Sequence, residues 1–201
     1  LVALAGDTTS EQGARVLAHL QQQYQHRDYE NDYGFSKLSF ADQKALNAAF
    51  GHKADRLPGY TLTAEVVAKA QRDKELLRSL KGQFGYYAHH NDYGFSKLSF
   101  ADQKALKGLF GDEADRLPGY TLTAEVVAEA QQEEGLLTSL KQQFQGYGEK
   151  DYGFSSLSFA DQKALKVLFG EDAGRLPKYH LTDDAVVAAT TDPELLAALI
   201  E

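Results

Sequence analysis

The chain has 201 residues, of which 43% are hydrophobic and 11% aromatic. Its net charge is −8, and it contains no cysteine, methionine or tryptophan. The apolar content excludes wholesale disorder. The acidic balance opposes nucleic acid and anionic membrane surfaces, which are bound by clustered Lys and Arg. Without cysteine there is no disulfide and no thiolate metal site.

The chain opens Leu1-Val2-Ala3-Leu4-Ala5-Gly6 with no initiator methionine. This points to a processed, exported or organelle-lumenal protein, or to a piece of a longer one. The segment is too short, and lacks the basic region, to be a signal peptide itself. No apolar run approaches the roughly 18 residues of a membrane-spanning helix.

Residues 7 to 25 are expected to be helical. Thr9 or Ser10 can cap the start, and Val16, Leu17, Leu20 and Tyr24 recur at helical spacing. The same pattern returns as Leu76, Leu77, Leu80 and Phe84, as Leu136, Leu137, Leu140 and Phe144, and as Leu195, Leu196 and Leu199. After the first three of these helices comes a polar, Tyr-rich connector at 25–31, 85–91 and 145–150.

The next stretch, Asp-Tyr-Gly-Phe-Ser-Lys-Leu-Ser-Phe-Ala-Asp-Gln-Lys-Ala-Leu, organises the chain. It starts at Asp32 and again at Asp92, and a third time at Asp151 with Ser156 replacing Lys. Gly34, Gly94 and Gly153 suit a turn that a Cβ would resist. A helix is expected from about Phe40 to Phe50. Ser39 is its N-cap, Asp42 stands at N3, and Gly51 is at the C-terminus. Leu38, Ala41, Ala45, Leu46, Ala49 and Phe50 are read as its apolar stripe, with Gln43 and Lys44 facing outward.

A Pro loop follows at Pro58, Pro118 and Pro177. Thr63 then caps a short helix carrying Val66, Val67 and Ala70. The break before the next long helix is clearest at Asp192-Pro193, an N-cap followed by an N1 proline.

The expected fold is therefore all-α: three tandem repeats of about 60 residues, forming small bundles or a short helical array, with four copies of the long helix flanking three inserts. The divisions are 1–31 (a partial repeat), 32–91, 92–150 and 151–201. Copies one and two match at 39 of 50 positions over 31–80 and 91–140. The changes gather on one face. Thr61–Leu80 carries four cations and three anions, whereas Thr121–Leu140 carries four anions and no cation. A common charged ligand on that face is disfavoured.

Catalytic and metal signatures are missing. His19, His26, His52, His89, His90 and His180 never recur at equivalent positions, so no histidine site is encoded by the repeat. Residues 55–66 start like a calcium loop but lack the side-chain oxygens at positions three and five and the closing Glu. No cofactor is expected. Arg56, Arg116 and Arg175 are expected to pair with the turn aspartate or to cap a helix end.

The reading that follows is a non-enzymatic, multivalent scaffold or linker that docks on a repetitive or oligomeric protein. It would do so through Asp32, Tyr33, Phe35, Gln43 and Lys44, through Asp92, Tyr93, Phe95, Gln103 and Lys104, and through Asp151, Tyr152, Phe154, Gln162 and Lys163. Aromatic anchors dominate interface energetics, and linked sites raise avidity. The alternative is that Tyr and Phe are core and Asp and Ser form the turn. A second function considered is a helical carrier of a small apolar ligand such as a lipid or pigment, one per repeat.

Overall fold

A computed structural model describes residues 10–25, 32–85, 91–145, 150–180, 182–193 and 196–197. Every regular element among them is helical, so the chain is all-α. The polar connectors, His26, His89, His90, Leu195 and Leu199 fall outside the described residues.

The first helix, α1 (Glu11–Gln23), is capped by Ser10, whose hydroxyl accepts from the Gly13 N–H. Helix α2 (Phe40–Phe50) begins as expected, with the Ser39 hydroxyl accepting from the Asp42 N–H and donating to the Asp42 carboxylate. It stops at Gly51, where φ is +55°. A 3-10 helix (Gly51–Arg56) leads into the Pro loop. Thr63 then caps α3 (Ala64–Ala70), and Asp73 caps α4 (Lys74–Gln83) by accepting from the N–H groups of Glu75 and Leu76.

The next insert repeats this order. It comprises a 3-10 turn at Phe95–Lys97, α5 (Phe100–Phe110), a 3-10 helix at Gly111–Arg116, α6 (Ala124–Ala130) and α7 (Glu134–Gln143). In the last insert the elements are a 3-10 turn at Phe154–Ser156, α8 (Phe159–Phe169), a 3-10 helix at Gly170–Arg175 and α9 (Asp183–Ala189). Beyond α9, the Leu196 N–H donates to the Asp192 carbonyl, one helical turn onward.

The chain divides into two compact units, Leu1–Pro118 and Gly119–Glu201. Within the first, one apolar cluster joins Tyr24, Phe35, Leu46, Phe50 and Leu57, covered by Val16, Leu17 and Leu20 of α1. A larger cluster crosses the boundary between sequence copies. It gathers Leu62, Val66, Val67 and Ala70 of one insert, Leu76, Leu80 and Phe84 of α4, and Phe95, Leu106 and Phe110 of the next insert. The packed group is thus a short helix, the long helix and the following turn with its helix. In the second unit, α6, α7 and α8 likewise contact one another.

Each group is fastened by an edge-to-face run of rings. Tyr24 meets Tyr33 and Phe50 at 5.3 and 6.0 Å, Phe84 meets Tyr93 and Phe110 at 5.2 and 5.9 Å, and Phe144 meets Tyr152 and Phe169 at 5.1 and 5.9 Å. Such pairs contribute about 0.5–1.5 kcal/mol each beyond burial.

The apolar stripe of α2 is phased differently from the expectation. Phe40, Gln43, Leu46 and Phe50 are buried, whereas Ala41 and Ala45 are exposed. The two phenylalanines have far more apolar area than the alanines, so they set which face turns inward. Gln43 lies between them and goes in as well.

Candidate functional site

The Asp-Tyr-Gly-Phe segment is a type I′ turn in all three copies. Tyr33, Tyr93 and Tyr152 have φ of +47°, +50° and +49°, and Gly34, Gly94 and Gly153 have φ of +83°, +87° and +88°. The N–H of Phe35, Phe95 or Phe154 closes the turn on the carbonyl of Asp32, Asp92 or Asp151 at 2.8 Å. A tyrosine at positive φ costs on the order of 1 kcal/mol. The aspartate offsets this cost. Asp32 accepts from the N–H of Gly34 and of Ser36 and from the Ser36 hydroxyl. Asp151 does the same with Gly153 and Ser155.

These bonds favour the ionised aspartate. The Ser36 hydroxyl is the largest influence holding the Asp32 carboxyl below its usual range. For Asp92, burial pushes the pKa up, but the Ser96 hydroxyl, the N–H groups of Ser96 and Gly94, and Lys97 outweigh it. Under the first turn, the Tyr24 hydroxyl donates to the Asp32 carbonyl at 2.8 Å. Burial, reinforced by the charge of Asp32, pushes that phenol up to about 12.

The residues expected on one docking edge separate into three places. Phe35, Phe95 and Phe154 are completely buried, which makes them core and corrects the expectation that they face a partner. Gln43, Gln103 and Gln162 are also buried and do not face outward. Each is retained inside because its amide has partners there. Gln43 donates to the carbonyls of Phe35 and Leu38 and to the Thr61 hydroxyl, and it accepts from the Thr61 N–H. Gln103 and Gln162 donate to the carbonyls of Leu98 and Leu157 at 3.0 Å, and Gln162 accepts from the His180 N–H. A buried amide satisfied in this way fixes the turn relative to its helix.

Lys44 lies apart, 3.7 Å from Asp73, the cap of α4, on a shallow surface with Phe40 and Arg72. Lys163 makes the matching pair with Asp192 at 2.9 Å. Lys104 is half-buried. The arginines do not pair with the turn aspartates as expected. Arg116 pairs with Glu113, and Arg175 with Asp172, inside their own 3-10 helices.

Asp32, Asp92 and Tyr93 are brought together. They line a groove of about 990 Å³ in the first unit, closed on its third side by the Pro loop. Lys37, Arg56, Lys97 and Asp102 also line it, so its walls carry both signs of charge. Among the described residues no three His, Asp or Glu side chains are placed to hold a metal ion.

The Pro loop is where sequence reasoning missed the decisive residues. The Leu62 N–H donates to the Tyr93 carbonyl at 2.8 Å, so the second turn seats on the first Pro loop. Gln83 at the end of α4 clasps the same loop with its amide, accepting from the Tyr60 N–H at 2.8 Å and donating to the Tyr60 carbonyl at 3.1 Å. Gly59 leaves room for both. A Cβ there would stand 2.8 Å from Tyr93 Cε1 and from Gln83 Oε1. The second unit repeats the joint: Leu122 N–H to the Tyr152 carbonyl at 2.7 Å, Gln143 on both backbone groups of Tyr120, and Gly119 beneath Tyr152. The sequence signal is that Gln recurs at 23, 83 and 143 and Gly at 59 and 119.

A scan against protein-family models matches none, and searches of curated proteins and of solved structures return no significant match.

Proposed function

We propose that this chain is a non-enzymatic scaffold of interlocking repeats that holds a repetitive or oligomeric protein partner at the groove formed between its first two turns. The observation that carries this reading is the groove itself. It is walled by two turns from different copies and the loop between them, so it is generated by the repeat joint. Its mixed charges suit a polar protein surface.

The partner contacts in this reading are Asp32, Lys37, Arg56, Asp92 and Lys97, while the phenylalanines and glutamines support them from within. The carrier reading is weaker, because Phe95, Leu106 and Phe110 fill the centre of the larger core with the chain's own atoms.

The test is a charge reversal, Arg56→Glu with Lys97→Glu, measured on the complex isolated from the native source. Binding is expected to fall at least tenfold with unchanged helical circular dichroism. Unchanged binding, or a bound small molecule of a few hundred daltons per chain in native mass spectrometry, overturns the proposal.

A further inference from the structure

One copy of the clasp faces no Pro loop among the described residues. Gln23 occupies the place in α1 that Gln83 and Gln143 occupy in α4 and α7, and Tyr33-Gly34 matches Tyr93-Gly94 and Tyr152-Gly153. The first set is open. Gln23 is exposed where Gln83 and Gln143 are half-buried, and Tyr33 is 50% exposed. Gly34 has no described atom within 4 Å of its would-be Cβ, whereas a Cβ at Gly94 or Gly153 would stand 3.3 or 3.2 Å from the carbonyl oxygen of Leu62 or Leu122. The backbone of the open turn is the same as that of the two occupied ones, so the surface is already shaped for the loop.

The short helix that follows the last Pro loop is also more exposed than its equivalents. Val186 is 55% exposed, while its equivalents Val67 and Val127 are buried at 1%. The last Pro loop differs at one telling position. It reads Pro177-Lys178-Tyr179-His180, where the occupied loops read Pro-Gly-Tyr-Thr. At Gly59 and Gly119 any Cβ would lie 2.8 or 2.6 Å from the seated tyrosine ring, closer than real Cβ contacts allow. A lysine there excludes the ring.

We infer that Gln23, Tyr33 and Gly34 form a docking site for the Pro-Gly-Tyr-Thr-Leu loop of another repeat of this type, and that Lys178 prevents the chain's own last loop from filling it. The occupant follows from the two filled joints, in which the same three residue types clasp that loop by the same bonds. This inference stands apart from the scaffold proposal, since its test involves no partner protein.

Sedimentation equilibrium on the full chain provides the test. The unsubstituted 201-residue chain is expected to stay at its monomer mass of 22.1 kDa. The double variant Lys178→Gly, His180→Thr is expected to associate head to tail, with a mass that rises with concentration. Lys178→Gly alone serves as a second variant. Adding Gln23→Ala, an exposed change at a helix end, removes two amide hydrogen bonds and should weaken association about tenfold. Adding Tyr33→Ala should restore the monomer. A folded glycine variant that stays monomeric overturns the inference. So does an unsubstituted chain that associates through this face, or association indifferent to Gln23 and Tyr33.

Discussion

The turns at 32–35 and 92–95 have the same sequence, the same positive φ values and the same aspartate bonds, yet one is open and the other lies under a Pro loop. The difference teaches that the turn's conformation is made locally. The Asp32 carboxylate accepts from the N–H groups of Gly34 and Ser36 in the open turn just as Asp92 does in the covered one. Docking adds burial to a shape that already exists, which keeps the entropy cost of joining copies low.

The comparison can be tested at several depths. The largest effect is expected at the residue both turns share in full burial. Phe35→Ala and Phe95→Ala should each cost about 3–5 kcal/mol in urea denaturation, because both remove a filled core position. A much smaller cost for Phe35 would mean that the open turn is held loosely.

The glycines should separate the two turns. Gly34→Ala and Gly94→Ala both strain a positive φ, but only the latter pushes a Cβ towards the Leu62 carbonyl. Gly94→Ala is expected to be more destabilising by about 1–2 kcal/mol. Equal costs would show that the joint yields easily.

Behind the covered turn, Lys107 lies with its ammonium 5.6 Å from the Phe95 ring, and burial pulls its pKa down to about 8 despite Asp115. The open turn has Asn47 at that place. Between pH 8 and the ordinary lysine value of 10.5, the unfolded chain binds more protons than the folded one. This lysine therefore adds stability as pH rises through that window. Lys107→Met should stabilise by about 1–2 kcal/mol at pH 7, and thermal melts should show the gain shrinking towards pH 10. A gain independent of pH would assign it to packing instead.

The smallest effect concerns the long helices that precede the second and third turns. Asp73 caps α4 through two N–H groups, whereas Glu133 makes no cap hydrogen bond at α7. Glu133→Asp should raise the melting temperature, corresponding to about 0.5–1 kcal/mol.

Much of the fold was legible in the sequence because its signals are short-range. Ser39, Gly51 and Thr63 act on groups within a few residues of themselves. The phase of α2 was not, because hydropathy assigns Gln43 to water, whereas its partners at Phe35, Leu38 and Thr61 lie up to 18 residues away. Gln83 escaped notice for the same reason, since it binds Tyr60 across 23 residues. Phe35 could be weighed as core or contact, and only its position under the helix decides. The groove was out of reach, because it belongs to no single copy.

Near-identical tandem copies face a hazard during folding, since a long helix can pack on the wrong insert. The chain marks its partners at one position. Lys53 donates to Gln21 at 2.9 Å, but in the next copies the polarity is reversed: Lys81 meets Glu113 at 3.1 Å and Lys141 meets Asp172 at 3.6 Å. Were α4 to displace α1 on the first 3-10 helix, Lys81 would oppose Lys53, two ammonium groups forced together. That repulsion disfavours α4 on the first insert, a small bias against one mispairing set by a single side-chain pair.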